Sequence, residues 1–136
     1  MKRTATAIWN GTIKEGNGNL SSASSVLNKT PYSFNSRFSE EAGTNPEELL
    51  AAAHAGCFTM KMSADLTEAG YIPDELVTDC SVTLGEGRIS KSELVLRAKV
   101  PGIPEFEFQE IAKKAKENCP VSKAFNFEIS LEAQLQ

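Results

Sequence analysis

Hydrophobic and polar positions alternate with a period of two in three stretches of the chain. In residues 75–84, Leu76, Cys80, Val82 and Leu84 share one parity, with Thr78 the exception. In residues 91–100, Leu94, Leu96, Ala98 and Val100 face one way while Glu93, Arg97 and Lys99 face the other. In residues 126–135, Phe127, Ile129, Leu131, Ala133 and Leu135 alternate with Asn126, Glu128, Ser130 and Glu132. Successive side chains on a strand point to opposite faces, so each stretch predicts a strand with one wet face. Gly85-Glu86-Gly87 reads as the turn that joins the first two into an antiparallel hairpin. Near the start, residues 3–9 are rich in β-formers and read as a strand, and Gly16-Asn17-Gly18-Asn19 reads as a hairpin turn after it. The Ser-rich residues 20–35 are weakly patterned and read as one or two further strands.

The sharpest local signal is Gly43-Thr44-Asn45-Pro46-Glu47-Glu48-Leu49-Leu50. Asn45 is a good N-cap, and Pro46 suits the first helical position because its missing N–H would have no partner there. Glu48 falls where its side chain can reach back to the cap. The spacing predicts a helix from 46 to about 69, ended by Gly70. From Leu49 to Met62 it is apolar or small almost all round, which predicts burial on most sides. Pro104 opens a second helix over 105–118, with Phe108, Ile111, Ala112, Ala115 and Cys119 on one stripe, and Pro120 ends it. The order β, long α, ββ, α, β predicts an α+β domain with a sheet packed on helices.

Length and charge narrow the function classes. The chain has 136 residues, the usual size of one domain, so residues 1–136 are expected to share one core. Hydrophobic residues make up 40% and charged residues 24%, the balance of a soluble globular protein. The net charge of −4 argues against a general nucleic-acid binder, which needs clustered Lys and Arg. The basic cluster Lys113-Lys114-Ala115-Lys116 sits beside Glu110 and Glu117 and reads as a solvated helix face. No run approaches the ~20 apolar residues of a membrane span. Lys2 and Arg3 are not followed by an apolar signal core, so a cytoplasmic location is expected. Three scattered cysteines, Cys57, Cys80 and Cys119, do not make a disulfide framework. With no C-x-x-C spacing and His54 as the one histidine, a zinc site is poorly supported.

The cysteines are the candidates for chemistry. Cys57 lies mid-helix, where a thiol gains nothing from the helix N-terminus and apolar neighbours such as Ala53 and Phe58 raise its pKa. On position alone it is a small core hydrophobe. To react it needs a cation, and Arg37, between Phe34 and Phe38 in the segment before the helix, is the candidate; its plain reading is a surface arginine. Cys119 closes the second helix, where the dipole disfavours a thiolate. If the two act together, Cys57 should attack and Cys119 resolve, because attack on a peroxide gives a sulfenic acid that a second thiol converts to a disulfide. Glu48 fits the cap. Glu47 is freer, but it precedes Cys57 by ten residues, roughly 15 Å along one helix. It therefore serves Cys57 only from a second subunit, and is otherwise a first-turn carboxylate favouring the dipole. His54 allows a Cys–His pair but equally a packed, hydrogen-bonded core histidine, and Cys80 reads as core.

The stretch Arg37-Phe38 followed by Gly43-Thr44-Asn45-Pro46-Glu47-Glu48-Leu49-Leu50-Ala51-Ala52-Ala53-His54-Ala55-Gly56-Cys57-Phe58 resembles the family of osmotically inducible protein C and organic hydroperoxide resistance protein, OsmC/Ohr. The second motif, Asn118-Cys119-Pro120-Val121-Ser122-Lys123-Ala124, fits as well. His54 and the Val-Ser-Lys after Cys119 look more like the OsmC branch. The resemblance covers essentially the whole chain. It implies an OsmC-like α+β fold, an antiparallel sheet on a long buried central helix, in an intertwined homodimer with active sites at the subunit interface. It implies a thiol-dependent peroxidase for organic hydroperoxides, active in oxidative and osmotic stress. Cys57 would be peroxidatic, Cys119 resolving, Arg37 the thiolate-stabilising cation and Glu47 its holder. The reductant would be an external dithiol, notably lipoyl groups, with no metal, haem or flavin. Residues 20–30 match no motif of the family, which leaves the pocket wall unread. Two other readings stand beside this one: a non-enzymatic dimeric stress or redox-sensing module, and a cysteine hydrolase using Cys57 and His54, which lacks an orienting residue.

Overall fold

Alternation and capping resolve into six strands and three α-helices in a computed structural model that describes residues 1–40 and 42–136. The chain divides into two compact units, Met1–Leu49 and Leu50–Gln136.

The first unit carries an antiparallel sheet of β1 (Ala5–Asn10), β2 (Asn17–Ser22) and β3 (Thr30–Tyr32), in the order β1-β2-β3. The expected turn at Gly16–Asn19 is displaced: Asn17 to Asn19 already pair within β2, opposite Asn10 to Ile8. Gly18 has another use. It faces Trp9 on one side and Tyr32 on the other, and a Cβ there would meet both rings at 2.8 and 2.7 Å. Without that Cβ the rings approach edge-on, with centroids 5.5 Å apart. A 3₁₀ turn, Asn35–Arg37, follows β3.

Helix α1 (Pro46–Glu68) runs from the first unit into the second. Its start matches expectation, because Asn45 Oδ1 accepts the Glu48 N–H at 2.8 Å. Glu48 does not reach back to the cap backbone; its carboxylate accepts the Thr44 hydroxyl at 2.6 Å. At the other end Tyr71 N–H reaches Leu66 O at 2.9 Å and Gly70 N–H reaches Thr67 O at 3.0 Å, a Schellman closure.

The second unit holds β4 (Glu75–Gly85), β5 (Arg88–Lys99), α2 (Glu105–Asn118), α3 (Pro120–Ala124) and β6 (Glu128–Leu135). Glu86 and Gly87, at φ 53° and 74°, make the tight turn between β4 and β5. The expectation of an antiparallel sheet needs correction here. β4 and β5 are antiparallel, but β6 lies parallel to β5 on its other side. The intervening α2 carries the chain back to the starting edge, so β6 re-enters in the same direction as β5.

Apolar burial joins these elements. Phe58, Met62 and Leu66 of α1, Leu94, Leu96 and Ala98 of β5, and Phe108, Ala112 and Ala115 of α2 form the core with Cys119. Each large side chain there contributes roughly 1.5–3 kcal/mol of apolar burial. Within this unit α1 is buried along one stripe, His54, Phe58, Met62 and Leu66, rather than on most sides. Ala52, Gly56, Met60 and Ala64 are uncovered, with Met60 76% exposed. Composition made the helix look buried all round because small residues carry no mark of what covers them. Among the described residues, no helix is long and apolar enough to cross a membrane.

Candidate active site

Two polar clusters gather the residues singled out in the sequence. The larger lies in the second unit. Cys57, on α1, packs against the core cluster that includes Cys119, and Cys119 is near enough to act on its ionisation. Burial pushes the Cys57 thiol up; a backbone hydrogen bond from Val121 pulls it down, and the nearby Cys119 raises it again. The rise from burial is the one its apolar neighbours predict.

Cys119 is placed differently from expectation. It ends α2, but it also caps α3: its Sγ accepts the Ser122 N–H at 3.3 Å, and the Ser122 hydroxyl lies 3.3 Å away. Pro120 stops one helix and starts the next, because a proline tolerated nowhere inside a helix suits its first turn. The thiol therefore faces donors, and the purely unfavourable C-terminal setting read from sequence does not hold.

His54 is fully buried. Its Nδ1 is 2.7 Å from Ser92 Oγ and its Nε2 is 2.8 Å from Ser122 Oγ, while Phe125 packs edge-on against the ring. It is a packed, hydrogen-bonded core histidine, and both nitrogens are engaged by serines rather than by Cys57. Burial lowers its pKa, which favours the neutral ring. Cys80, partly buried on β4, lies 3.2 Å from Ser92 Oγ; burial raises its pKa, which Ser92 offsets in part. Ser92 was not singled out in the sequence, and Ser122 entered only as part of the Val-Ser-Lys motif. Ser92 did leave a signal, a polar residue in the parity of Leu94, Leu96 and Ala98.

The smaller cluster lies in the first unit. Arg37 Nε is 3.3 Å from Glu47 Oε2, with the side chains 32% and 12% exposed. The carboxylate that holds Arg37 thus comes from the same chain. The 3₁₀ turn sets Arg37 beside the first turn of α1, where Glu47 stands. Ion pairing does not satisfy Glu47 Oε2, which is buried without a hydrogen-bond partner. Beside Arg37 opens a pocket of about 260 Å³, lined by Trp9, Ile13, Tyr32, Phe34 and Pro46 among others. It is an apolar cleft with one cation at its edge.

A family model described as OsmC-like protein matches residues 39–134. The chain belongs to the OsmC-like family. Peroxiredoxin OsmC of Escherichia coli (strain K12) is 47% identical over 134 residues, 96% of this chain and 94% of that protein. The fold of this OsmC-like chain also resembles solved structures. An organic hydroperoxide resistance protein from Elizabethkingia anophelis, with thiocyanate bound, aligns at TM-score 0.74 and 25% identity, covering 100% of this chain and 99% of that one. An OsmC-like protein of unknown function from Vibrio cholerae aligns at TM-score 0.77 and 17% identity, covering 98% and 99%.

Proposed function

We propose that the chain is a thiol-dependent peroxidase that reduces organic hydroperoxides to alcohols. The observation that carries this reading is the packing of half-buried Cys57 against the core cluster that includes Cys119, near enough for Cys119 to act on its ionisation. The names of its relatives point the same way: a peroxiredoxin shares 47% identity over nearly the full length, and an organic hydroperoxide resistance protein shares the fold.

In this reading the Cys57 thiolate attacks the distal peroxide oxygen. The O–O bond breaks, the alkoxide leaves and takes a proton, and Cys57 becomes a sulfenic acid. Cys119 then attacks the Cys57 sulfur, expelling water and forming the Cys57–Cys119 disulfide. An external dithiol, such as a lipoyl group, returns both thiols by exchange. Arg37, held by Glu47 of its own chain, is assigned, from the second copy of a homodimer, the charge that offsets burial of the Cys57 thiolate and orients the peroxide. The apolar pocket beside Arg37 suits an organic substituent better than hydrogen peroxide.

The working unit is taken to be a homodimer, one domain per chain, in the cytoplasm, where thiols stay reduced. Support comes from the uncovered α1 stripe, Ala52, Gly56, Met60 and Ala64, whose small side chains allow close approach of a second copy. The test is consumption of cumene hydroperoxide with dihydrolipoamide as reductant. Many equivalents consumed per protein supports the peroxidase. One equivalent, ending at the disulfide with no further turnover, supports a redox-sensing module instead.

A further inference from the structure

The hydrogen bonds around His54 join into one continuous chain across the core of the second unit. From Cys119 Sγ it passes to Ser122 Oγ (3.3 Å), to His54 Nε2 (2.8 Å), from Nδ1 to Ser92 Oγ (2.7 Å), and from there to Cys80 Sγ (3.2 Å). Its members come from α1, α3, β4 and β5 and from the residue joining α2 to α3, distant in sequence and brought together only by folding. A buried hydroxyl has one proton to donate, and a neutral imidazole donates from one nitrogen and accepts at the other. The chain therefore has two self-consistent senses. In one, Cys119 S–H donates to Ser122, Ser122 donates to Nε2, and Nδ1–H donates to Ser92. In the other, Nε2–H donates to Ser122, whose hydroxyl donates to Cys119 Sγ.

We infer that His54 is a positioning residue for the resolving step, accepting the Cys119 thiol proton through Ser122 so that Cys119 attacks as a thiolate. This rests on the peroxidase reading. The proton of Cys119 moves to Ser122 Oγ as the Ser122 proton moves to His54 Nε2. The thiolate left behind faces two donors from Ser122, its hydroxyl and its backbone N–H, both at 3.3 Å. The Cys119 sulfur then donates an electron pair to the Cys57 sulfur; the S–S bond forms, the S–O bond breaks, and hydroxide departs. The hydroxide takes up a proton and the imidazolium gives one up, leaving neutral His54, one disulfide and one water. The Cys57 sulfur is reduced in this step and the Cys119 sulfur oxidised, and the oxidant is the peroxide already consumed. Burial favours neutral His54 at rest, the form able to accept. Other titratable groups facing it are Cys80, 4.0 Å from Nδ1, and Cys119 through Ser122.

The two steps separate in rapid-quench mass spectrometry of the full-length protein after one equivalent of cumene hydroperoxide, with the sulfenic acid trapped by dimedone. His54→Gln, which can hydrogen-bond to Ser122 but not take its proton, and Ser122→Ala, which cuts the chain, are each expected to slow disulfide formation by about a hundredfold, the scale of general base catalysis. Formation of the Cys57 sulfenic acid should stay within about twofold of wild type. Ser122→Thr, which keeps the hydroxyl, should restore most of the second rate. Unchanged disulfide formation in both His54→Gln and Ser122→Ala overturns the inference. So does equal slowing of both steps, which a merely structural role would give. Wild-type protein that forms neither sulfenic acid nor disulfide overturns the peroxidase reading itself.

Discussion

Around His54, both ring nitrogens and the two serines they meet are engaged in short hydrogen bonds, and the ring is sealed from solvent. Around Glu47, one carboxylate oxygen is buried with only an ion-pair contact and no hydrogen bond, and its arginine is about a third exposed. A saturated buried network contributes to stability and fixes geometry, because each unmade bond there would leave a desolvated polar group. A pair with an unmet acceptor contributes little to folding and keeps capacity for another group. The difference teaches where each cluster's contribution falls: the His54 network on the folded state, the Arg37–Glu47 pair on what binds or assembles later.

The sharpest way to break this contrast is to remove the thiol that both clusters are proposed to serve. Cys57→Ser should lower peroxide turnover by on the order of 10⁴-fold or more, the scale of losing a nucleophile, while the melting temperature barely moves. Residual turnover near wild type, measured with dihydrolipoamide as reductant, would dismiss the shared thiol. Next in size is Arg37→Ala. If its charge acts on the reaction, kcat/KM should fall about 10²- to 10³-fold, with stability to urea within about 0.5 kcal/mol of wild type. A large loss of stability instead would place Arg37 with His54, as part of the folded frame.

His54→Ala should lose stability as well as the resolving step. Two buried hydroxyls lose their partner at about 1–3 kcal/mol each, so a loss of about 3 kcal/mol is expected in urea unfolding. The same residue predicts a pH effect. Its folded pKa lies below the unfolded value, so the unfolded chain binds more protons in that window, and stability rises with pH there. Wild-type melting temperature should therefore fall as pH drops below about 6.5 and level off above it. In His54→Gln that component of the pH slope should vanish. The smallest effect is expected for Glu47→Gln. It removes half of a partly exposed ion pair, and after solvent screening its cost should stay below about 1 kcal/mol.

Much of the fold is legible in the sequence because it is written locally. Asn45-Pro46 marks the start of α1, the parity of Leu94, Leu96 and Ala98 marks the inner face of β5, and Pro104 opens α2. What escapes is set by distant partners. Alternation in β6 gives its faces but not its direction, which depends on where α2 returns the chain. Pro120 reads as a stop, and only the Ser122 N–H on Cys119 shows it is also a start. Of the candidate site, Cys57, Cys119, Arg37 and Glu47 stand out by residue type and position, and the motif resemblance implies their roles; the structure pairs Arg37 with Glu47. The roles of Ser92 and Ser122 stayed hidden because a serine is informative only once the histidine it faces is known.

Strand β5 is paired on both sides, and the two pairings differ in how far along the chain the partner lies. Leu94 meets Cys80 fourteen residues back, across the Glu86–Gly87 turn, but meets Leu131 thirty-seven residues ahead, across α2 and α3. Hairpin closure over a short turn takes roughly 1–10 μs, whereas the distant pairing must first meet the entropy of closing a longer loop. The order of assembly is thus built into the sheet: the β4–β5 hairpin forms early, and β6 docks last, once the helices have condensed on the inner face. In a φ-value experiment, Val82→Ala should slow folding, whereas Leu131→Ala should chiefly speed unfolding.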